Sequence, residues 1–288
     1  MIRFGEDKYI PELKKLWRLC FPEDTESFIN LYFNKVYKNE DTLIFLEDNI
    51  PVASFQMIPY PIRNNGQIRL AGYISGAMTH PSFRKRRIMS QMLEYSFDVM
   101  REKGYDFSFL IPQEDWLFEY YSKFGYQEAF PKAFVSPVSF EIKSSQKIIL
   151  RDKTIRIYTQ MEEVDISDFF IGYSRFLMEN NPVVLKSKTQ LAVILEDFFD
   201  ERGVLFSNDW GIAFCSGNKE EVFVKEFFYF DTEMESLFLS AIADYFRTKN
   251  LLIQKYESSP SVFYQGMIKK LTDHSNIPVD IYMSMMLD

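Results

Sequence analysis

The sequence predicts an α/β (α+β) chain of two tandem domains, each a mixed, mostly antiparallel sheet flanked by helices. Length is the first of three observations behind that expectation, since 288 residues exceed what one hydrophobic core usually serves. The second is the order of apolar periodicities, β-α-α-β-β-β-α-β-α-β over residues 1–140 and the same order again from 153, which reads as one unit repeated. The third is a polar stretch between them that contains Lys143-Ser144-Ser145-Gln146. Domains are therefore expected at 1–140 and 153–288, with a linker over 141–152.

Each element follows from its local pattern. Ile2 to Phe4 is a short strand, and Lys8 to Leu19 a helix with Ile10, Leu13, Leu16 and Trp17 on one face. Phe21-Pro22 ends it, because proline lacks the N–H that would continue the ladder. Thr25 to Tyr37 is a second helix, capped by Asp24 or Thr25, with Phe28, Ile29, Tyr32, Phe33 and Val36 at helical spacing. Strands follow at Thr42 to Glu47, Pro51 to Tyr60 and Gln67 to Thr79, with turns at Asp48-Asn49 and Asn64-Asn65-Gly66. A helix carrying Met89, Met92, Leu93, Phe97 and Met100 runs to Gly104, and Phe107 to Ile111 is a continuous apolar strand closed by Pro112. Trp116 to Lys123 is a short helix, and Gln127 to Phe140 returns as one or two strands.

The second unit begins with a strand at Thr154 to Tyr158 and helices at Ser167 to Glu179 and Lys188 to Asp200. Strands at Gly203 to Ser207, Gly211 to Ser216 and Glu221 to Phe230 precede a helix at Ser236 to Lys249. A strand at Leu251 to Tyr256, a helix at Ser261 to Thr272 and a last strand at Val279 to Leu287 complete the expected order.

Composition excludes several classes. With 47% hydrophobic and 17% aromatic residues the chain can bury sizeable cores. A net charge of -8 disfavours general nucleic-acid affinity, so no nucleic-acid partner is expected. No apolar run approaches membrane-spanning length, and Met1 to Lys8 lack the apolar stretch of a signal peptide; the expected location is cytoplasmic, with no membrane partner. Cys20 and Cys215 are far apart, and His80 and His274 add no ligand spacing, so neither a disulfide nor a metal is expected and both cysteines read as small core residues. Oligomeric state stays open.

Chemistry concentrates between Ile74 and Leu93. Ile74 to Thr79 reads as a buried strand, Pro81 stops it, and a turn of four consecutive cations, Arg84 to Arg87, opens the helix that follows. The first N–H groups of a helix lack internal partners and the helix dipole adds partial positive charge there. Guanidinium groups and successive turn amides both bind phosphate oxygens. Such a turn suits an anion, although a basic turn can also simply be solvated.

Pro81, Phe83 and Arg84 resemble the signature of the Gcn5-related N-acetyltransferase (GNAT) superfamily: a strand, a Pro, an aromatic residue, then Arg/Gln-x-x-Gly-x-Gly/Ala opening a helix. Arg87 and Met89 depart from it, standing where the family has Gly and Gly/Ala. The resemblance implies acetyl-CoA as cofactor, its pyrophosphate held at Arg84, Lys85, Arg86, Arg87, Ile88 and Met89 and its pantetheine arm along the strand backbone of Ala77, Met78 and Thr79. It also implies an acyltransferase activity, EC 2.3.1 type, on a primary amine of a small molecule, peptide or protein. Tyr121-Ser122-Lys123-Phe124-Gly125-Tyr126 resembles the family's Tyr-x-x-x-Gly-Phe/Tyr, which puts Tyr121 on its general acid. The tandem plan resembles the enhanced intracellular survival family, a catalytic copy followed by a degenerate one. Members of that family carry a third, sterol-carrier-like domain, for which this chain leaves no length, and place the terminal carboxylate in the active site, which makes Asp288 a candidate.

The residues bear their own reading beside that resemblance. A phenol of ordinary pKa, about 10, stays protonated at neutral pH and can donate to a departing thiolate. In a chain with 17 Tyr, Tyr120 and Tyr121 can equally be core aromatics. Glu114 is the candidate general base, beside Asp115. Glu23, Asp24 and Glu26 can attract a cationic substrate, and Phe21, Phe28 and Phe33 can line its pocket. The matching turn of the second unit, Tyr229 to Glu235, has no Arg and three acids, so it would repel a pyrophosphate. A non-catalytic CoA-binding or scaffold protein of the same fold stays open as an alternative, as does a nucleic-acid contact through Arg84 to Arg87.

Overall fold

Pro11 sits in the first turn of a helix, where its missing N–H is no loss, and the Leu13, Leu16 and Trp17 face is buried. That helix, α1 (Ile10–Cys20), follows a short strand β1 (Ile2–Phe4) and ends before Pro22. Thr25 caps α2 (Glu26–Leu31) by accepting from the Phe28 amide at 3.1 Å. The single helix expected through Tyr37 gives way instead to a π-helical turn at Tyr32–Val36, which keeps Tyr32 and Phe33 buried. A meander of β2 (Thr42–Glu47), β3 (Ile50–Asn64) and β4 (Gln67–Thr79) leads into α3 (Ile88–Glu102), β5 (Phe107–Leu110), α4 (Asp115–Ser122) and β6 (Gln127–Val135).

The computed structural model describes residues 1–135, 154–230, 232–255, 263–273, 276–278 and 280–287. The linker expected at 141–152 and the Asp288 carboxylate lie outside these residues. The second half repeats the pattern with β7 (Arg156–Tyr158), α5 (Ile166–Met178), a two-residue strand β8 (Val183–Val184), and α6 (Lys188–Asp200). Its meander is β9 (Val204–Asn208), β10 (Gly211–Gly217) and β11 (Val222–Tyr229), followed by α7 (Thr232–Phe246) and β12 (Leu251–Lys255). In each half the connection after the meander returns parallel, β4 to β5 and β11 to β12, while the other strand pairings are antiparallel.

Two sequence expectations fail near the C-terminus. Within the helix expected at Ser261 to Thr272, Phe263–Lys270 is instead a strand, β13. It pairs antiparallel with β5 on one side and β6 on the other, and this two-sided ladder overrides a helical periodicity in so short a segment. Of the strand expected at Val279 to Leu287, the described residues 280–287 form an irregular tail with a bridge between Tyr282 and Val183. β13, from the second half, therefore lies between two strands of the first, and β6, from the first, carries β12 of the second on its other edge. Two mixed sheets meet at that exchanged pair.

Helices cover both faces. α3 buries Met92, Leu93, Phe97 and Met100 against Phe55 and Met57, and α1, α2 and the π-helical turn gather Trp17, Ile29 and Tyr32 with Val193 and Ile194 of α6. In the second half α5 and α6 share one core and α7 covers another. Phe109, Phe130, Ile268 and Ile281 fill the junction.

Candidate active site

The site begins where two parallel strands part. β4 and β5 pair only from Ala71 to Tyr73 with Phe107 to Phe109, so the edge of β4 from Ile74 to Thr79 has no strand partner on that side among the described residues. On the other side, Ser54 pairs with Met78 and Gln56 with Ser75, so β4 carries one residue more than β3 at Gly76-Ala77. Gly76 has φ +60°, and a Cβ there would come within 2.6 Å of the Trp17 ring. Glycine is required at this bulge by both conformation and space.

Beyond the gap the chain makes the basic turn. His80 accepts from the Ser82 amide at 3.2 Å, Pro81–Phe83 forms a single 3-10 turn, and the Arg84 guanidinium reaches back to the Thr79 carbonyl at 3.1 Å. Arg86 lies over the Phe83 ring at 4.7 Å. Two of the four expected cations are thus held by the turn itself, and among the described residues Lys85 and Arg87 have no partner. Both take positive φ, +64° and +59°, and Arg87 is the N-cap of α3 without a capping side chain. The amides of Ile88, Met89 and Ser90, the first of that helix, have no acceptor within it. Arg87 meets the left-handed geometry that a glycine adopts freely, at a cost of order 1 kcal/mol.

α3 and α4 close a cleft of about 580 Å³ lined by Ala77, Met78, Thr79, Arg84, Lys85, Arg87, Ile88, Met89, Glu114 and Tyr121 among others. Of the residues expected to bind the cofactor or act in catalysis, Ala77 to Thr79, Arg84 to Met89, Glu114 and Tyr121, all but Arg86 line this cleft. Ser90 and Tyr120 hydroxyls meet at 3.3 Å, tying the two helices. Cys20 lines the same cleft, its thiol on the Thr79 carbonyl at 3.4 Å, and burial pushes its pKa up, as it does more strongly for the enclosed Cys215. Neither thiol is primed as a nucleophile.

At its inner end the cleft shares Phe21, Ala77, Gln113, Leu117 and Tyr121 with a smaller recess of about 90 Å³, whose other walls include Trp17, Asp24, Tyr32, Ser75 and Gly76. Tyr121 stands at the junction, 7% exposed, its ring against Tyr120 and Tyr126. Tyr126 hydrogen-bonds Ser108 at 2.6 Å and Tyr32 hydrogen-bonds Ser75 at 2.9 Å, whereas no described residue hydrogen-bonds the Tyr121 hydroxyl. Burial, and then the neighbouring Tyr120, push the Tyr121 pKa up, so the phenol holds its proton firmly.

The carboxylates divide by position. Glu114, the N-cap of α4, is exposed at the outer cleft and accepts from the Trp116 indole at 2.7 Å. Asp24 borders the recess, accepts from the Trp17 indole at 2.6 Å, and has its pKa raised by burial. Glu26 pairs with Arg18 at the exposed surface, and Glu23 joins Asp24 in an acidic trough with Asp197 and Asp200 of α6 and Glu201 just after it. Of the expected pocket aromatics only Phe21 lines the recess; Phe28 and Phe33 are core. Sequence reasoning missed Trp17 as a site residue, because its helical spacing reads as packing. The lone Gly76 inside a strand pattern was the available signal for the bulge.

A split parallel pair over a helix with an open, basic N-terminus forms a cleft suited to an anion. The family model of the acetyltransferase (GNAT) domain matches residues 1–129. Solved structures similar over nearly all of the chain include a conserved protein of Enterococcus faecalis V583 (TM-score 0.74, 11% identity, 94% of this chain and 72% of that one). A GCN5-related N-acetyltransferase from Kribbella flavida (0.70, 13%, 93% and 70%) and Eis1 from Mycobacterium abscessus (0.70, 10%, 94% and 74%) share the fold as well. No curated protein matches the chain by sequence. Among the described residues no helix is long and apolar enough to cross a membrane, and no cluster of His, Cys, Asp and Glu could hold a metal ion.

Proposed function

We propose that the chain is an acetyl-CoA-dependent N-acetyltransferase whose first domain, 1–140, is catalytic and whose second, 153–288, is a degenerate copy. Tyr121 carries this reading, as a protonated phenol with an uncommitted hydroxyl where the cleft meets the recess. Acetyl-CoA supplies an acetyl group activated as a thioester. Lys85, Arg87 and the first amides of α3 hold its phosphates, and the open edge of β4 at Ala77–Thr79 takes its amide-bearing arm. Tyr121 gives its proton to the departing thiolate.

The acceptor amine enters the recess. Asp24 receives its ammonium there, and burial suits this carboxylate to taking up the proton that the amine must lose before it attacks. Glu114, the carboxylate expected as base, borders only the outer cleft, so Asp24 is the better placed of the two. Rings of Trp17, Phe21 and Tyr32 favour an acceptor with an apolar or aromatic body beside its amine. In the second domain β11 and β12 part in the same way after Val224, but α7 opens with Glu233 and Glu235 in its first turn, which disfavours a pyrophosphate.

Calorimetric titration with acetyl-CoA tests the cofactor site. Saturable binding, weakened about tenfold by Arg84→Ala, is expected from the loss of the tether that shapes the turn. No heat at roughly millimolar acetyl-CoA, against the usual micromolar to millimolar range for enzyme substrates, sinks the reading. Bound acetyl-CoA without thiol release in the presence of tyramine and other primary amines would point to a non-catalytic CoA-binding protein.

A further inference from the structure

Most buried polar groups of this fold serve a turn, a cap or the site already described. One cluster in the second half does not. Glu226, on β11, is 3% exposed, and Lys186, between β8 and α6, is 6% exposed. Charges so deeply enclosed are costly unless held by partners, and here the C-terminal tail supplies partners to both, beside Tyr173 of α5. The Glu226 carboxylate accepts from the Met285 amide, and from the Tyr173 hydroxyl at 3.2 Å; the Lys186 ammonium donates to the Ser284 hydroxyl.

The same tail is anchored just before these residues and leaves the second half just after them. Tyr282 exchanges backbone hydrogen bonds with Pro182 and Val184, and β8 itself pairs with Ile62 and Arg63 of β3 in the first half. Met286 then joins the junction core with Tyr73, and Leu287 joins the apolar cluster that contains Trp17 and Tyr32. Tyr73, Trp17 and Tyr32 are walls of the recess.

We infer that Glu226 and Lys186 are positioning residues for the acceptor recess of the first half, acting through the tail segment Ser284 to Leu287 that they hold in place. The second half is thereby a working part of the acceptor site: its buried pair fixes the tail, and the tail backs the aromatic walls that orient the amine. Its kinetic arm rests on the acyl-transfer reading; its structural arm does not.

The test compares full-length wild type with Glu226→Ala and Glu226→Gln, following amide exchange along the chain, acetyl-CoA affinity, and thiol release with tyramine as the probe amine. Glu226→Ala is expected to speed exchange at 283–287 and in α1 and α2, and to raise half-saturating tyramine about tenfold while acetyl-CoA affinity stays within about twofold. Glu226→Gln, which still accepts from the Met285 amide, restores most of both. Should the alanine variant fail to fold, a chain ended after Ile281 removes the tail directly and must give the same pattern. Faster exchange at 283–287 with α1, α2 and half-saturating tyramine unmoved overturns the inference, as does a loss spread equally to acetyl-CoA. If wild type binds no acetyl-CoA, the acyl-transfer reading fails, and exchange in α1 and α2 alone decides the inference.

Discussion

Trp17 donates its indole N–H to Asp24 across 2.6 Å, and both side chains face the recess behind Tyr121. One carboxylate oxygen is thus fixed by a ring that is itself packed among Phe21, Phe28, Tyr32 and Phe33. The pair presents a preoriented acid in an aromatic wall.

If that acid receives the acceptor, Asp24→Asn should raise half-saturating amine by about ten- to a hundredfold, the range of a lost charge-assisted hydrogen bond, and leave acetyl-CoA affinity unchanged. Steady-state kinetics with tyramine and titration with acetyl-CoA read the two arms separately. A variant that weakens both equally would place Asp24 in the fold rather than in acceptor binding.

Tyr121→Phe should lower kcat by about a hundred- to a thousandfold, within the range typical of general acid catalysis, with acetyl-CoA affinity intact. Because no described residue hydrogen-bonds that hydroxyl, the thermal midpoint should move little. Tyr120→Phe, which loses the contact to Ser90, is the control and should retain most of the rate. Equal losses in the two variants would remove Tyr121 from the chemistry.

Arg87 trades backbone ease for charge. Replacing it with Gly, at φ +59°, should raise the melting temperature by about 2–4 °C, as relief of about 1 kcal/mol does in a chain of this size. The same change should weaken acetyl-CoA about tenfold by removing a phosphate partner. Tighter binding instead would mean that the side chain crowds the cofactor.

Asp197 supplies a pH signature. Burial first, then Glu201 and Asp200, push its pKa up to about 7. The folded chain therefore holds a proton that the unfolded chain has released above about pH 4, so this term favours folding at low pH and is lost as pH rises through about 7. Asp197→Asn should change stability little at pH 5 and raise it by about 1 kcal/mol at pH 8, allowing for solvent screening of a partly exposed group. Melting curves at the two pH values decide it; an equal gain at both would assign the effect to packing.

Much of this was legible in local pattern. Leu13, Leu16 and Trp17, or Met92, Leu93, Phe97 and Met100, repeat at helical spacing because one face of each helix must be buried, and those faces are buried. The strand, Pro and basic turn from Ile74 to Met89 needed only neighbouring residues to be recognised. Trp17 with Asp24 was not legible as a pair: seven positions apart, across the end of a helix, nothing local says that the indole turns back to the carboxylate.

By itself the sequence determined what each short segment prefers, which is why helices, hairpins and the basic turn could be read in order. Only the tertiary structure decided which strands are neighbours. Phe263–Lys270 becomes a strand because β5 and β6 offer it two ladders at once, and β6 in turn serves β12, so each half completes the other's sheet. β-strand pairing joins residues more than a hundred positions apart, and its hydrogen bonds are made by backbone groups that are the same in every residue but proline. That is why the exchange, and the tail that backs the recess, had no signature in the chain.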